Sequence, residues 1–228
     1  MRERLGLVPA ILATHRDLLA GQARIVAGRR GRLGGELAIV PPDSRLTRAA
    51  QAACADVLPA SLVAHSARTW WYGQLLARLD GVAVDPELAL VAALLHDLGL
   101  AAAVPGEDFT LRGARRAQQL LEEAGATPGD ALAAADAIAV HTLPGVQQAR
   151  DGPLGTYLQA GAMLDLIGLR ADELSRSAVA APLAQHPRGD LTDRLAACVR
   201  AEAHAVPAGR FALIRWSGFV PAVRLARR

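Results

Sequence analysis

The sequence predicts an all-α fold, a single-domain helical bundle, on three observations. Aromatic residues make up only 4% of the 228-residue chain while Ala and Leu abound, a balance that suits helices better than strands. Helix start and stop signals recur along the whole chain. No repeat of fixed period and no interdomain linker separates them. At 52% hydrophobic, the chain is long enough and apolar enough to build a full-sized core.

The elements follow in order. Residues 5–28 read as one or two helices, with Pro9 near the start and Gly28 near the end. His15, beside Arg16 and Asp17, reads as a surface residue. Gly31 to Pro42 is rich in Gly and Pro and reads as an extended surface loop pinned by Ile39 and Val40. Residues 1–42 thus form an N-terminal helical extension and loop, and residues 43–228 the core. Asp43 or Ser44 caps a short helix running to about Leu58. After Pro59, a helix is expected from Ser61 to about Leu79, closed by Asp80-Gly81. His65, Arg68, Thr69, Tyr72 and Leu76 share one face of it, too polar for an ordinary core stripe.

The next helix is expected over 86–98. Asp85 is its N-cap, Pro86 fits the first position, Glu87 suits the positive end, and Gly99 is expected as the C′ stop. It is apolar nearly all round, so it should be central. After Pro105-Gly106, a helix from about Phe109 to Ala124 stops at Gly125. Thr127-Pro128-Gly129-Asp130 starts one ending near His141, where Pro144 and Gly145 break the chain. Asp151-Gly152-Pro153 starts another, running to Ile167 or Gly168 with one acid, Asp165, in apolar context. A short helix around Asp172 to Ala181, a loop at His186-Pro187-Arg188-Gly189, and a helix capped by Asp190 and running to about Ala205 follow. Residues 208–226 read as helical with a break at Gly218 and Pro221.

Chemistry enters at His96-Asp97, an ionisable pair inside the apolar run Leu88 to Leu100. Burying such a pair is costly unless something compensates it. A bound metal ion is the simplest compensation, since imidazole and carboxylate both suit zinc, iron or manganese. Adjacent helical residues point about 100° apart, so both can reach one ion only near a helix end. Taken alone, the dipeptide is equally a buried histidine paired with its neighbour. The other His and acid residues in apolar helical context are His65, His141 and Asp165.

The order His65, then His96-Asp97, then a distant Asp165 resembles the HD superfamily of metal-dependent enzymes. Within it, His65-Ser66-Ala67-Arg68, Leu94 to Leu100, Phe109 to Ala114, Ala137 to Thr142 and Gly161 to Asp165 together resemble the cyanamide hydratase branch. The resemblance implies one HD-type domain, with His65, His96, Asp97 and Asp165 as ligands of one divalent ion. Zinc is the first choice, and iron and manganese fit as well. Two neutral imidazoles and two carboxylates would neutralise such an ion, and the ion would activate a water molecule. Asp97 could also take the water's proton, and His141 is the candidate proton donor or a hydrogen-bonding support of the site. Arg68, Phe109, Thr110 and Thr142 are expected around it. Arg68 serves as a clamp on an acid or as a substrate contact, with the clamp favoured. Phe109, Trp70 and Tyr72 are candidates for pocket walls. Thr110 stands where the family often has an acid.

The activity implied is hydration of a small nitrile-type molecule, cyanamide to urea, with a phosphohydrolase acting on a nucleotide or other phosphate ester as the alternative. Leu100 stands where signalling phosphodiesterases of the superfamily often carry Lys, which argues against a cyclic dinucleotide. A di-iron oxygenase would need more His ligands than His141 alone between Asp97 and Asp165. A binding domain without catalysis would be expected to have lost a ligand. The expected partner is a small molecule, with a homodimer through an apolar helix face. The formal charge is +3, but every basic residue is Arg and most are dispersed, so no nucleic-acid footprint is read. No apolar run spans a membrane and no signal-peptide core follows Met1-Arg2-Glu3-Arg4, so a cytoplasmic location is expected. Cys54 and Cys198 are expected as buried free thiols.

Overall fold

The structure is a computed structural model that describes residues 7–32 and 39–226. Its described residues form eleven α-helices and no strand. They are α1 (Val8–Val26), α2 (Arg45–Val57), α3 (Ala60–Leu79), α4 (Pro86–Leu95), α5 (Phe109–Glu123), α6 (Pro128–Val140), α7 (Gln148–Ile167), α8 (Arg176–Gln185), α9 (Leu191–Ala205), α10 (Arg210–Trp216) and α11 (Phe219–Leu225). The all-α fold class is therefore the observed one. No helix among the described residues is long and apolar enough to cross a membrane.

Local chemistry explains most of the boundaries. Ser44 and Thr47 form a reciprocal capping box at the start of α2. The Asp85 carboxylate accepts from the Glu87 and Leu88 amides with Pro86 at the first turn of α4. Thr127 caps α6 through the Asp130 amide. Gly125 and Gly168 end their helices at positive φ, as expected of C′ glycines. In α7 the chain kinks at Gly152, whose φ of 72° and ψ of 165° no helix contains, and the long helical run begins at Pro153.

Several expectations need correction. The central helix stops at Leu95 rather than 98, and a short 3₁₀ turn, Leu98–Ala101, follows. Gly99 is not a left-handed C′ residue. It is required by packing, because a Cβ there would stand 2.0 Å from the Phe109 carbonyl oxygen. Ile39 is buried as expected, whereas Val40 is exposed. Residues 33–38 of the expected loop lie outside the described residues. The helix expected around 172–181 divides into a 3₁₀ turn at Ala171–Glu173 and α8. Pro221 does not break the C-terminal segment; it sits in the first turn of α11, and Gly218 alone makes the break. Cys54 is buried and Cys198 half-buried, both free.

Helix α4 runs through the core, with Val91, Ala92, Ala93 and Leu95 almost wholly buried. It packs against α2, α3, α6 and α7. Helices α3 and α7 cross most closely of all. A Cβ on Gly161 would stand 2.1 Å from the Thr69 carbonyl oxygen, and one on Gly73 would stand 2.6 Å from that of Tyr157. Two glycines therefore let the backbones touch. That contact sets the first helix bearing a candidate ligand against the helix bearing Asp165.

Candidate metal centre

His96 and Asp97 stand at the point where α4 ends. His96 is the C-cap of α4 in right-handed helical geometry, while Asp97 has turned out of the helix at φ −100°, ψ 6°. This turn lets two adjacent side chains converge, which a continued helix would prevent. Among the described residues, His65, His96 and Asp97 bring one ligand atom each to within 4.8 Å of one another, all buried. His65 Nε2 lies 3.9 Å and His96 Nε2 3.3 Å from Asp97 Oδ2. His141 faces the other carboxylate oxygen, its Nε2 3.9 Å from Asp97 Oδ1. Its ring lies edge-on to that of His96 at 4.9 Å.

Each histidine is fixed through its other nitrogen. His96 Nδ1 lies 2.7 Å from the Ala93 carbonyl, and His141 Nδ1 lies 2.7 Å from that of Ile138. A carbonyl can only accept, so both Nδ1 atoms carry the proton. His65 Nδ1 donates to Asp165 Oδ2 at 2.6 Å. Burial lowers the basicity of His96 and, with the neighbouring His96 ring, holds that of His141 down to about 3. Their Nε2 atoms therefore present lone pairs to the Asp97 carboxylate. Such an arrangement is repulsive by itself and becomes attractive around a cation. The donor set and its tied Nδ1 atoms fit a divalent ion.

Asp165 and Arg68 lie next to this cluster. Arg68 is completely buried and grips Asp165 with both arms of its fork, Nε to Oδ1 at 2.7 Å and Nη2 to Oδ2 at 2.8 Å. Its Nη1 donates to the His186 carbonyl at 2.7 Å. Burial alone would raise the Asp165 pKa, yet the hydrogen bonds from His65 and Arg68 hold it well below the usual carboxylate range. Arg68 thus has the geometry of the clamp on an acid, its guanidinium engaged by Asp165 and the His186 carbonyl. Asp165 stands behind His65, outside the three-residue cluster, with its two oxygens engaged by Arg68 and His65. His141 lies beside the cluster with Nε2 facing Asp97 and Nδ1 tied to the Ile138 carbonyl.

The expected pocket walls also move. Trp70 donates to the Pro86 carbonyl at 3.1 Å and Tyr72 to that of Val179 at 2.8 Å, both inside the core. Phe109 is buried behind the site, edge-on to His141 at 5.8 Å and tilted against Phe211 at 4.3 Å. Thr110 is fully buried and donates to Asp108 at 2.7 Å while accepting from Arg210 at 2.7 Å. Neither lines the chamber over the cluster, whereas Thr142 does. That chamber, about 130 Å³, opens onto His65, His96, Asp97 and His141. The part of its wall that comes from α1, α10 and α11 was missed by the sequence reading, because the mixed polarity of these helices carries no motif.

Fold and site together define an all-helical protein with a buried histidine–aspartate cluster able to hold a metal. The family model of the HD domain matches residues 62–184, more than half of the chain, and the chain belongs to the HD-domain family. It is thereby one of a superfamily of metal-dependent enzymes of hydrolase type. No curated protein matches the chain.

Proposed function

We propose that this HD-domain protein hydrates a small nitrile-type molecule, as in the conversion of cyanamide to urea, with a water activated by one divalent ion. The ion would be held by His65, His96 and Asp97 with His141 alongside, and zinc is the first choice. Asp165 acts through His65 by fixing the ring and keeping its Nε2 lone pair directed at Asp97. The observation that supports this reading over a phosphohydrolase is the chamber's charge. Among its described lining residues Asp97 is the only acid and none is Arg, so no guanidinium fork is in place to hold a phosphate.

Held by His65, His96 and Asp97, a divalent ion would supply an activated water, a nucleophile near neutral pH. Asp97 then accepts the proton as the water oxygen bonds to the nitrile carbon. The same carboxyl returns a proton to the nitrogen, and nitrile plus water gives an amide. Thr142, whose buried hydroxyl has no partner, is placed to donate a hydrogen bond to the polar head of the substrate.

The test is urea formation from cyanamide by metal-replete protein, with Asp97→Asn alongside and a panel of phosphate esters in parallel. Turnover of cyanamide or another nitrile, abolished in Asp97→Asn, is the expected result. Phosphate release with no nitrile hydration would overturn the reading in favour of the phosphohydrolase.

A further inference from the structure

The chamber over the metal cluster is far larger and far less polar than cyanamide needs. A cavity requires roughly 10–15 Å³ to hold one water, and a cavity of about 150 Å³ lined by Leu, Ile and Phe holds a benzene ring. At about 130 Å³, this chamber is close to the second case. Leu18, Met163, Leu166, Phe211, Ile214 and Phe219 form its wall. The polar lining comprises the cluster of His65, His96, Asp97 and His141 with the orphaned Thr142 hydroxyl, and Thr14, His15, Gln159 and Ser217. A three-heavy-atom polar molecule at the cluster would leave most of this volume and most of the apolar wall unfilled.

The wall has a second informative property. Leu18 belongs to α1, Phe211 and Ile214 to α10, and Phe219 to α11. All lie outside residues 62–184, the part that matches the HD domain. The segments flanking the matched region on both sides therefore converge to close one side of the site. Both are anchored to the matched region, α1 by Arg24 on Asp172 at 2.6 Å and α10 by the Arg210 amide on Asp108 at 3.0 Å.

We propose that the substrate carries a neutral apolar body of about the size of a benzene ring, which the flanking helices α1, α10 and α11 select, with its nitrile-type head at the metal cluster. This rests on the hydration reading for the identity of the head and on the chamber alone for the body. Burying four to six carbons against such a wall stabilises the complex by several factors of ten before ordering costs.

Calorimetric titration of metal-replete protein with benzamide and with acetamide tests the body, and turnover of benzonitrile against cyanamide tests the head. Benzamide should bind at least ten-fold more tightly than acetamide, and benzonitrile should be hydrated with a kcat/KM at least ten-fold above that of cyanamide. Ala222→Phe, which fills the chamber, should weaken benzamide at least ten-fold with the metal content unchanged. Ile214→Ser, at a half-buried position that overfills nothing, should weaken it at least five-fold should the first variant not fold. Benzamide tighter than acetamide with no nitrile hydrated would uphold the chamber proposal and remove the hydration reading. Equal binding of the two amides, or preference for cyanamide, would overturn the chamber proposal and leave hydration standing. Tighter binding of phenyl phosphate than benzamide would overturn it as well.

Discussion

Arg68 and Asp165, ninety-seven positions apart, meet through two parallel hydrogen bonds at the crossing of α3 and α7, and neither side chain has any solvent contact. The same carboxylate accepts from His65 Nδ1, and Arg188 Nη2 lies 3.4 Å from its Oδ1, so the ion pair of Arg68 and Asp165 helps to fix the ring whose far nitrogen faces Asp97. Removing one member of a buried pair strands the other charge. Arg68→Ala should therefore destabilise the fold by about 3–5 kcal/mol. Arg68→Lys keeps the charge but loses the fork and should fall between the two. Urea unfolding at pH 7 measures this; a midpoint unchanged in Arg68→Ala would show that the clamp contributes nothing.

The ligand assignment predicts a graded response to mutation. His96→Ala and Asp97→Ala should each abolish binding of the single divalent ion, read by elemental analysis after gel filtration. Asp165→Asn should weaken metal binding by about 10–100-fold without abolishing it, the usual effect of a residue that orients a ligand. A chelator should lower the melting temperature of the native protein and leave that of His96→Ala unchanged. Loss of metal in Asp165→Asn as complete as in Asp97→Ala would make Asp165 a direct ligand instead.

The crossing that creates the clamp depends on glycine. Gly161→Ala would place a methyl group 2.1 Å from the Thr69 carbonyl oxygen and 2.8 Å from the Gly73 nitrogen, both backbone atoms that cannot rotate away. The helices would have to separate. A loss of roughly 3 kcal/mol is expected, at the upper end of overpacking costs. Gly129→Ala, where the nearest atom is 3.8 Å away, should change stability much less and serves as the control. Equal midpoints for the two variants in urea would refute the close crossing.

These cases also mark what the sequence makes legible. Caps and stops at Ser44, Asp85, Thr127, Gly125 and Gly168 are local interactions, so they can be read along the chain and the helices with them. His65, His96, Asp97 and His141 stand out because each is polar in an apolar run. What the polarity of Asp165 could not reveal was its partners, since the bonds from Arg68 and His65 join residues about a hundred positions away. Gly99 and Gly161 look like ordinary breaks or small residues, because backbone contact with Phe109 or Thr69 is a long-range fact. The chamber wall has no signature, since apolar residues on short amphipathic helices are indistinguishable from core until the helices are placed.

Asp108 gives a pH-dependent test of the joint between α5 and α10. Its carboxylate accepts from the Thr110 amide and hydroxyl, at 3.1 and 2.7 Å, and from the Arg210 amide at 3.0 Å. Burial by itself would raise its pKa, but these hydrogen bonds and the nearby Arg210 charge lower it below the ordinary value. A carboxyl whose folded pKa is depressed contributes stability that is present above its unfolded pKa of about 3.9 and is lost as pH falls through the folded value. Asp108→Asn keeps the shape and removes the charge. Its deficit against the native protein, about 1 kcal/mol by the scale of helix caps, should hold constant from pH 7 to pH 5. The deficit should then shrink steadily below about pH 4, where the unfolded chain's carboxyl takes up its proton while the native one is still ionised, until the native carboxyl too is protonated. Paired urea titrations of the two proteins across this range isolate the one group, because every other titration is common to both. A deficit that does not change between pH 7 and pH 3 would mean that the charge of Asp108 plays no part in holding α10 over the site.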